Sequence, residues 1–161
     1  YHAEHGELAA LVLAGEVEYA LLPQPFVTTV TQKDASVEVA LDITAEWEKA
    51  TGGNQLAMGS IIARTDFLEA NADRLDIFLE ELGASVDFVN SNVEEAAALS
   101  DQYGIVAEEV AKAAIPKCNI VAITGQTMKD SVSAYLAVLE KANPQAVGGV
   151  VPDDAFYYLG A

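Results

Sequence analysis

Two histidines, His2 and His5, flank Glu4 in the segment HAEH, and a His-x-x-His spacing on a helix could hold a metal ion. The chain has no other histidine, so the remaining ligands of a catalytic zinc are lacking and a solvated helix end is the reading adopted. The same count argues against a Ser-His-Asp or Cys-His nucleophile. The single cysteine, Cys118, follows Lys117 in IPKCNIV, where the ammonium beside it would lower the thiol pKa. Its apolar neighbours favour a small buried hydrophobe instead. Paired carboxylates recur at Glu80-Glu81, Glu94-Glu95, Glu108-Glu109 and Asp153-Asp154. General acid–base work needs two carboxyls converging in unlike environments, whereas adjacent acids on polar helix faces form a solvated surface. Neither TGGN nor VGGV has the lysine or the spacing of a phosphate loop or dinucleotide fingerprint, and no G-x-S-x-G elbow occurs. No enzyme is nominated, and no catalytic residue, metal or cofactor is assigned.

One stretch remains, LLPQPFVTT, where Pro23 and Pro25 bracket Gln24 at the expected end of a strand. Pro25 suits the first turn of a helix, where its missing N–H costs nothing. Such a helix start offers free N–H groups to an anionic ligand, and Thr28 and Thr29 add hydroxyls. The alternative is a structural corner merely stiffened by its prolines. Spacing alone does not separate the two.

The elements around this corner follow from periodicity. Leu8, Leu11 and Val12 predict a helix over residues 3–14, stopped by Gly15. VEYALL (17–22), VEVALDI (37–43) and QLAMGSIIA (55–63) read as strands, the first apolar on one face and partly so on the other, as in a parallel sheet. TAEWEKATGG predicts a short helix closed by glycines. In DRLDIFLEELGASVDFVN, Leu75, Phe78, Leu79, Leu82, Val86 and Val89 form one apolar stripe. Asn92 and Glu95 resemble a capping box opening a helix that Gly104 closes. Further helices are expected from Val106 to Ala114 and through TMKDSVSAYLAVLEKAN, which Asn143-Pro144 stops. Three strands would not cover so many apolar helix faces, which suggests missing sheet.

The 161 residues suffice for one domain, and 52% apolar against 20% charged residues indicates a folded chain. With 8 Lys and Arg against 25 Asp and Glu, the net charge is 8 − 25 = −17. Such a surface repels phosphate backbones and anionic lipid, so no nucleic-acid partner is expected. One cysteine forms no internal disulfide. The chain opens on Tyr1, in what reads as the middle of a helix, and is expected to be a piece of something longer.

With these segments in view, LAGEVEYALLPQPFVTTV, MGSIIARTDFLEANADRLDIFLEELGASVDFVNSNVEEAAAL, AIPKCNIVAITGQTM and NPQAVGGVVPDDAFYY resemble the C-terminal part of ABC-transporter solute-binding proteins. The branch is the nitrate/sulfonate/taurine (NitT/TauT-like) family, a bacterial group that includes thiamine-precursor transport. The likeness runs over nearly the whole chain. It implies an α/β, type 2 periplasmic-binding-protein-like fold, two-lobed and three-layered (αβα), here as an incomplete C-terminal portion rich in helices. Residues 1–34 would close the second lobe, 35–63 would be crossover strands, and 64–161 the helical part of the first lobe.

The resemblance further implies an extracytoplasmic protein, periplasmic or lipid-anchored, that binds a small-molecule solute between two lobes. Its partners would be an ABC permease with its ATPase subunit and the missing N-terminal part of the same protein, and a dimer of the piece would cover exposed apolar surface. The ligand-facing set implied is Pro23, Gln24, Phe26 and Thr28, with Met58 and Gly59 as weaker members. Phe26 either stacks on a ligand or belongs to the core. The family commonly has glutamate between the two prolines; Gln24 keeps hydrogen-bonding capacity without the charge, which would weaken an amine contact. The chain alone is expected to bind solute weakly or not at all. Two other classes share the fold: a thiamine-pyrimidine-synthase-like enzyme, which would need histidine and lysine in the cleft, and the effector-binding domain of a transcription regulator.

Overall fold

The computed structural model of the protein describes residues 2–160; Tyr1, where the chain is expected to open in mid-helix, lies outside the described residues, as does Ala161. The described residues form eight α-helices joined by turns, 3-10 helices and extended segments. They divide into two compact units, Tyr1–Ala40 with Gly83–Val121, and Leu41–Leu82 with Ala122–Ala161.

The first unit holds α1 (His5–Leu13), α2 (Phe26–Lys33), the end of α5 (Ala72–Ser91), α6 (Val93–Gln102) and α7 (Glu108–Ala114). Helix α1 ends where Gly15 adopts φ 71°, a left-handed conformation that glycine takes without Cβ strain. The Gly15 N–H then reaches the Val12 carbonyl at 3.0 Å and the Glu16 N–H that of Leu11 at 3.0 Å, the paired closure of a Schellman motif. Small residues bring α6 and α7 together: Ala96 and Ala97 on one, Ala111 and Ala114 on the other, all buried. Helix α2 packs on α7 and on α1, burying Thr28 and Val30 with Ala9. Alanines permit close helix approach and lose no rotamer freedom on burial.

The second unit holds α3 (Ile43–Thr51), α4 (Thr65–Ala70), the start of α5 and α8 (Gly125–Ala142). Asp42 caps α3, its Oδ1 accepting from the Thr44 N–H at 2.9 Å and the Ala45 N–H at 3.2 Å. The Trp47 ring of α3 lies 5.2 Å from that of Tyr135 on α8, and Gln55 Oε1 accepts from the Ser131 hydroxyl at 2.9 Å. The residues after α8 fold back as 3-10 turns at Pro144–Val147 and Asp154–Phe156. Tyr157 is the one buried apolar residue of this unit among the described residues. Leu75, Leu79 and Leu82 of the α5 stripe are half-buried and Phe78 is exposed.

The helices expected from periodicity form close to their expected bounds, but the sheet does not. Among the described residues there is no strand, so the α/β, type 2 periplasmic-binding-protein-like architecture is corrected to a helical one. Residues 17–22 and 55–63 lie in irregular segments, and 37–43 runs into the first residue of α3. Alternating apolar residues make a segment compatible with a strand, but a strand exists only when a neighbour pairs its N–H and C=O groups. No backbone–backbone hydrogen bond is donated from residues 17–22, 38–41 or 55–63 among the described residues. Their apolar side chains consequently stand in solvent, with Tyr19 80%, Leu21 72% and Ile62 81% exposed. A second correction concerns Asn92, which makes no capping bond to α6. It follows α5 directly, and its Nδ2 donates to the Phe88 carbonyl at 3.1 Å, satisfying the end of one helix rather than the start of the next.

Candidate functional site

The corner Pro23-Gln24-Pro25 leads straight into α2, with a cis peptide bond between Gln24 and Pro25. Pro25 is the N-cap residue and brings no side-chain acceptor to the unpaired N–H groups of the first turn. Gln24 fills that role from one position earlier. Its Oε1 accepts from the Thr28 N–H at 3.2 Å and from the Thr28 hydroxyl at 2.7 Å. Thr28 is only 2% exposed, the one buried polar residue among those described, and its hydroxyl is satisfied by this bond. The Thr29 hydroxyl donates to the Pro25 carbonyl at 3.1 Å. Phe26 sets its ring 5.6 Å from that of His5 at an interplanar angle of 54°, a tilted aromatic contact that ties α2 to α1.

The structure therefore brings Pro23, Gln24, Phe26 and Thr28 together at one corner of the first unit. Met58 and Gly59 belong to the second unit, in an irregular segment where Met58 is 74% exposed and no atom lies within 4 Å of where a Gly59 Cβ would stand. A small apolar cavity of about 200 Å³ adjoins Pro25, lined also by Ser100, Ile115 and Cys118. Periodicity gave no hint of it, because its walls come from segments some ninety residues apart in sequence (Pro25 to Cys118). Cys118 is half-buried there, and burial pushes its thiol pKa up, which keeps it protonated and weakly nucleophilic.

The other chemistry-bearing residues are held by local partners. His2 Nδ1 lies 3.3 Å from Glu7 Oε1, while His5 faces Phe26, so the two imidazoles have different neighbours. No group of three or more metal-ligating side chains gathers among the described residues. Lys112 gathers three carboxylates: Glu94 at 3.0 Å, Glu108 at 2.8 Å and Glu109 at 3.4 Å. The hydrogen bond to Glu108, then that to Glu94, raises its pKa well above the ordinary lysine range. The tail acids divide their work. Asp153 Oδ1 accepts from the Ala155 N–H at 3.0 Å, and Asp154 pairs with Lys129 at 2.8 Å. Lys129 also stands over the Tyr157 ring, 5.9 Å from its centre. The Tyr158 hydroxyl donates to Asp76 at 3.0 Å, and beyond them Leu136, Val150 and Phe156 line an open apolar depression. No helix is long and apolar enough to cross a membrane among the described residues.

No family model matches the chain, and no curated protein does. Among solved structures, the crystal structure of an ABC transporter from Parabacteroides distasonis is similar, at 25% sequence identity and a TM-score of 0.77. The match covers 98% of this chain and 54% of that one, so the chain spans about half the length of the structure it resembles. Backbone likeness over nearly the whole chain, with one residue in four identical, connects it with an ABC transport protein.

Proposed function

We propose that the protein acts in ABC import as an extracytoplasmic solute-binding component, of the nitrate/sulfonate/taurine (NitT/TauT-like) kind. In this reading it binds a small molecule and delivers it to a permease and its ATPase subunit. The observation that carries the reading is the similarity to the Parabacteroides distasonis ABC transporter structure across 98% of the chain. One feature of the chain agrees with it. The charge of −17 disfavours a nucleic-acid partner.

The solute-facing residues in this reading are Pro23, Gln24 and Phe26 of the first unit. Thr28 acts through Gln24, holding its amide in place, rather than by offering a free hydroxyl. The test is uptake of radiolabelled sulfonates, pyrimidines, aromatic acids and amines by cells lacking the gene. Loss of uptake of one solute class, restored by the gene in trans, is the expected result. Unchanged uptake across the whole panel would refute the proposal.

A further inference from the structure

We propose that Gln24 selects for a solute presenting a neutral hydrogen-bond acceptor, a carbonyl or ring nitrogen, and against one presenting an ammonium group. The inference rests on the solute-binding reading above and names the chemistry its corner would take.

The direction of the Gln24 amide is fixed by its partner. A backbone N–H can only donate, so the atom 3.2 Å from the Thr28 nitrogen must be the amide oxygen, and a flipped amide would set N–H against N–H. The Thr28 hydroxyl donates to the same oxygen at 2.7 Å. Both lone-pair directions of Oε1 are thereby occupied, and nothing is left to accept from an incoming ammonium. The nitrogen is in the opposite condition. Gln24 Nε2 carries two donors, has no hydrogen-bond partner among the described residues, and is not among the buried polar atoms, so solvent reaches it. Whatever meets this side chain from outside meets donors alone.

Charge narrows the class further. The chain has no lysine or arginine before Lys33, which sits in the last turn of α2, and the Lys112 ammonium of the same unit is shared by three carboxylates. No cation is ion-paired at the corner among the described residues. An anion stripped of its water needs an opposite charge or several donors to replace that hydration. A single amide offers neither, and the net charge of −17 adds a repulsive field. A neutral acceptor costs far less to desolvate and satisfies the amide equally well.

The decisive measurement is 15N NMR on the whole chain, following the Gln24 side-chain amide, whose signals are identified by their absence in Gln24→Met. Benzamide, benzoate and benzylamine carry one ring and three head-groups, and millimolar titrations detect weak binding. Benzamide is expected to move the Gln24 signals most and benzylamine not at all. In Gln24→Glu the carboxylate still accepts from Thr28, which hydrogen-exchange protection of the Thr28 N–H verifies. That variant should bind benzamide about three- to tenfold more weakly and acquire benzylamine binding. If benzylamine binds the unaltered corner at least as tightly as benzamide, or the preference order survives in Gln24→Glu, the inference fails while solute binding stands. If none of the three probes perturbs the corner, the inference also fails, and the uptake assay judges the solute-binding reading on its own.

Discussion

The two units of this chain are built from similar amphipathic helices yet are held together by different forces. In the first, Ala9, Val30, Ala96, Ala97, Ala111 and Ala114 are buried, and small side chains let α2, α6 and α7 meet closely. In the second, only Tyr157 is buried among the described residues, and beside the Trp47–Tyr135 ring contact most fastenings are polar. The polar ones are Lys129 to Asp154, Tyr158 to Asp76, Ser131 to Gln55, and the Val151 N–H to Glu140. Close packing is cooperative and intolerant of volume change, whereas exposed polar pairs contribute little each and can be removed singly. An apolar stripe on a helix is thus no guarantee of a core; a second surface must approach it.

That contrast can be broken most directly at Ala97, which has no exposed surface. Ala97→Leu should destabilise the first unit by about 1–3 kcal/mol through overpacking, read as a lower urea midpoint with an unchanged slope. Ile77→Ala, on the exposed face of α5, should change stability by no more than about 0.5 kcal/mol. Equal effects at the two positions would erase the distinction between the units. Next in size is Thr28→Val, which keeps the shape but removes the hydroxyl donor to Gln24. It should cost about 1 kcal/mol by thermal unfolding and loosen the Gln24 amide.

Gly83 lies inside α5, at the first residue of the share belonging to the first unit, and no atom stands within 4 Å of where its Cβ would be. Gly83→Ala should therefore stabilise the protein by about 0.5–1 kcal/mol, raising the midpoint of thermal unfolding. The smallest effect belongs to Tyr158, whose pKa is raised, first by burial and then by its hydrogen bond to Asp76. A raised folded-state pKa means the contribution is fully present below pH 10, the ordinary tyrosine value, and fades as pH rises through the folded value. Ultraviolet titration should find Tyr158 ionising late, and Asp76→Asn should bring it back towards the ordinary range.

The helices were legible because their signals are local. Gly15, Gly52 and Gly104 sit at the expected stops with positive φ, and the α5 stripe has the 3.6-residue period. The sheet was misread because alternation in residues 17–22 or 55–63 reports compatibility with a strand, while pairing depends on a neighbour the sequence pattern does not specify. Asn92 was misread for a related reason: a lone residue between two helices has two ends to serve, and the pattern does not say which. At the corner, residue types drew attention to Gln24 and Thr28, but not the bond between them. That bond follows from Pro25 occupying the cap position without an acceptor of its own.

Trp47, its ring tilted against that of Tyr135, is the only tryptophan in the chain, and it belongs to the second unit. Its emission is a built-in lamp that lights one half of the molecule and leaves the other dark. Circular dichroism at the helical bands sees both halves, so superimposable melting curves from the two probes would mean a single all-or-none transition. Curves that part company would separate the fate of the polar-laced half from that of its alanine-packed neighbour, with no label attached.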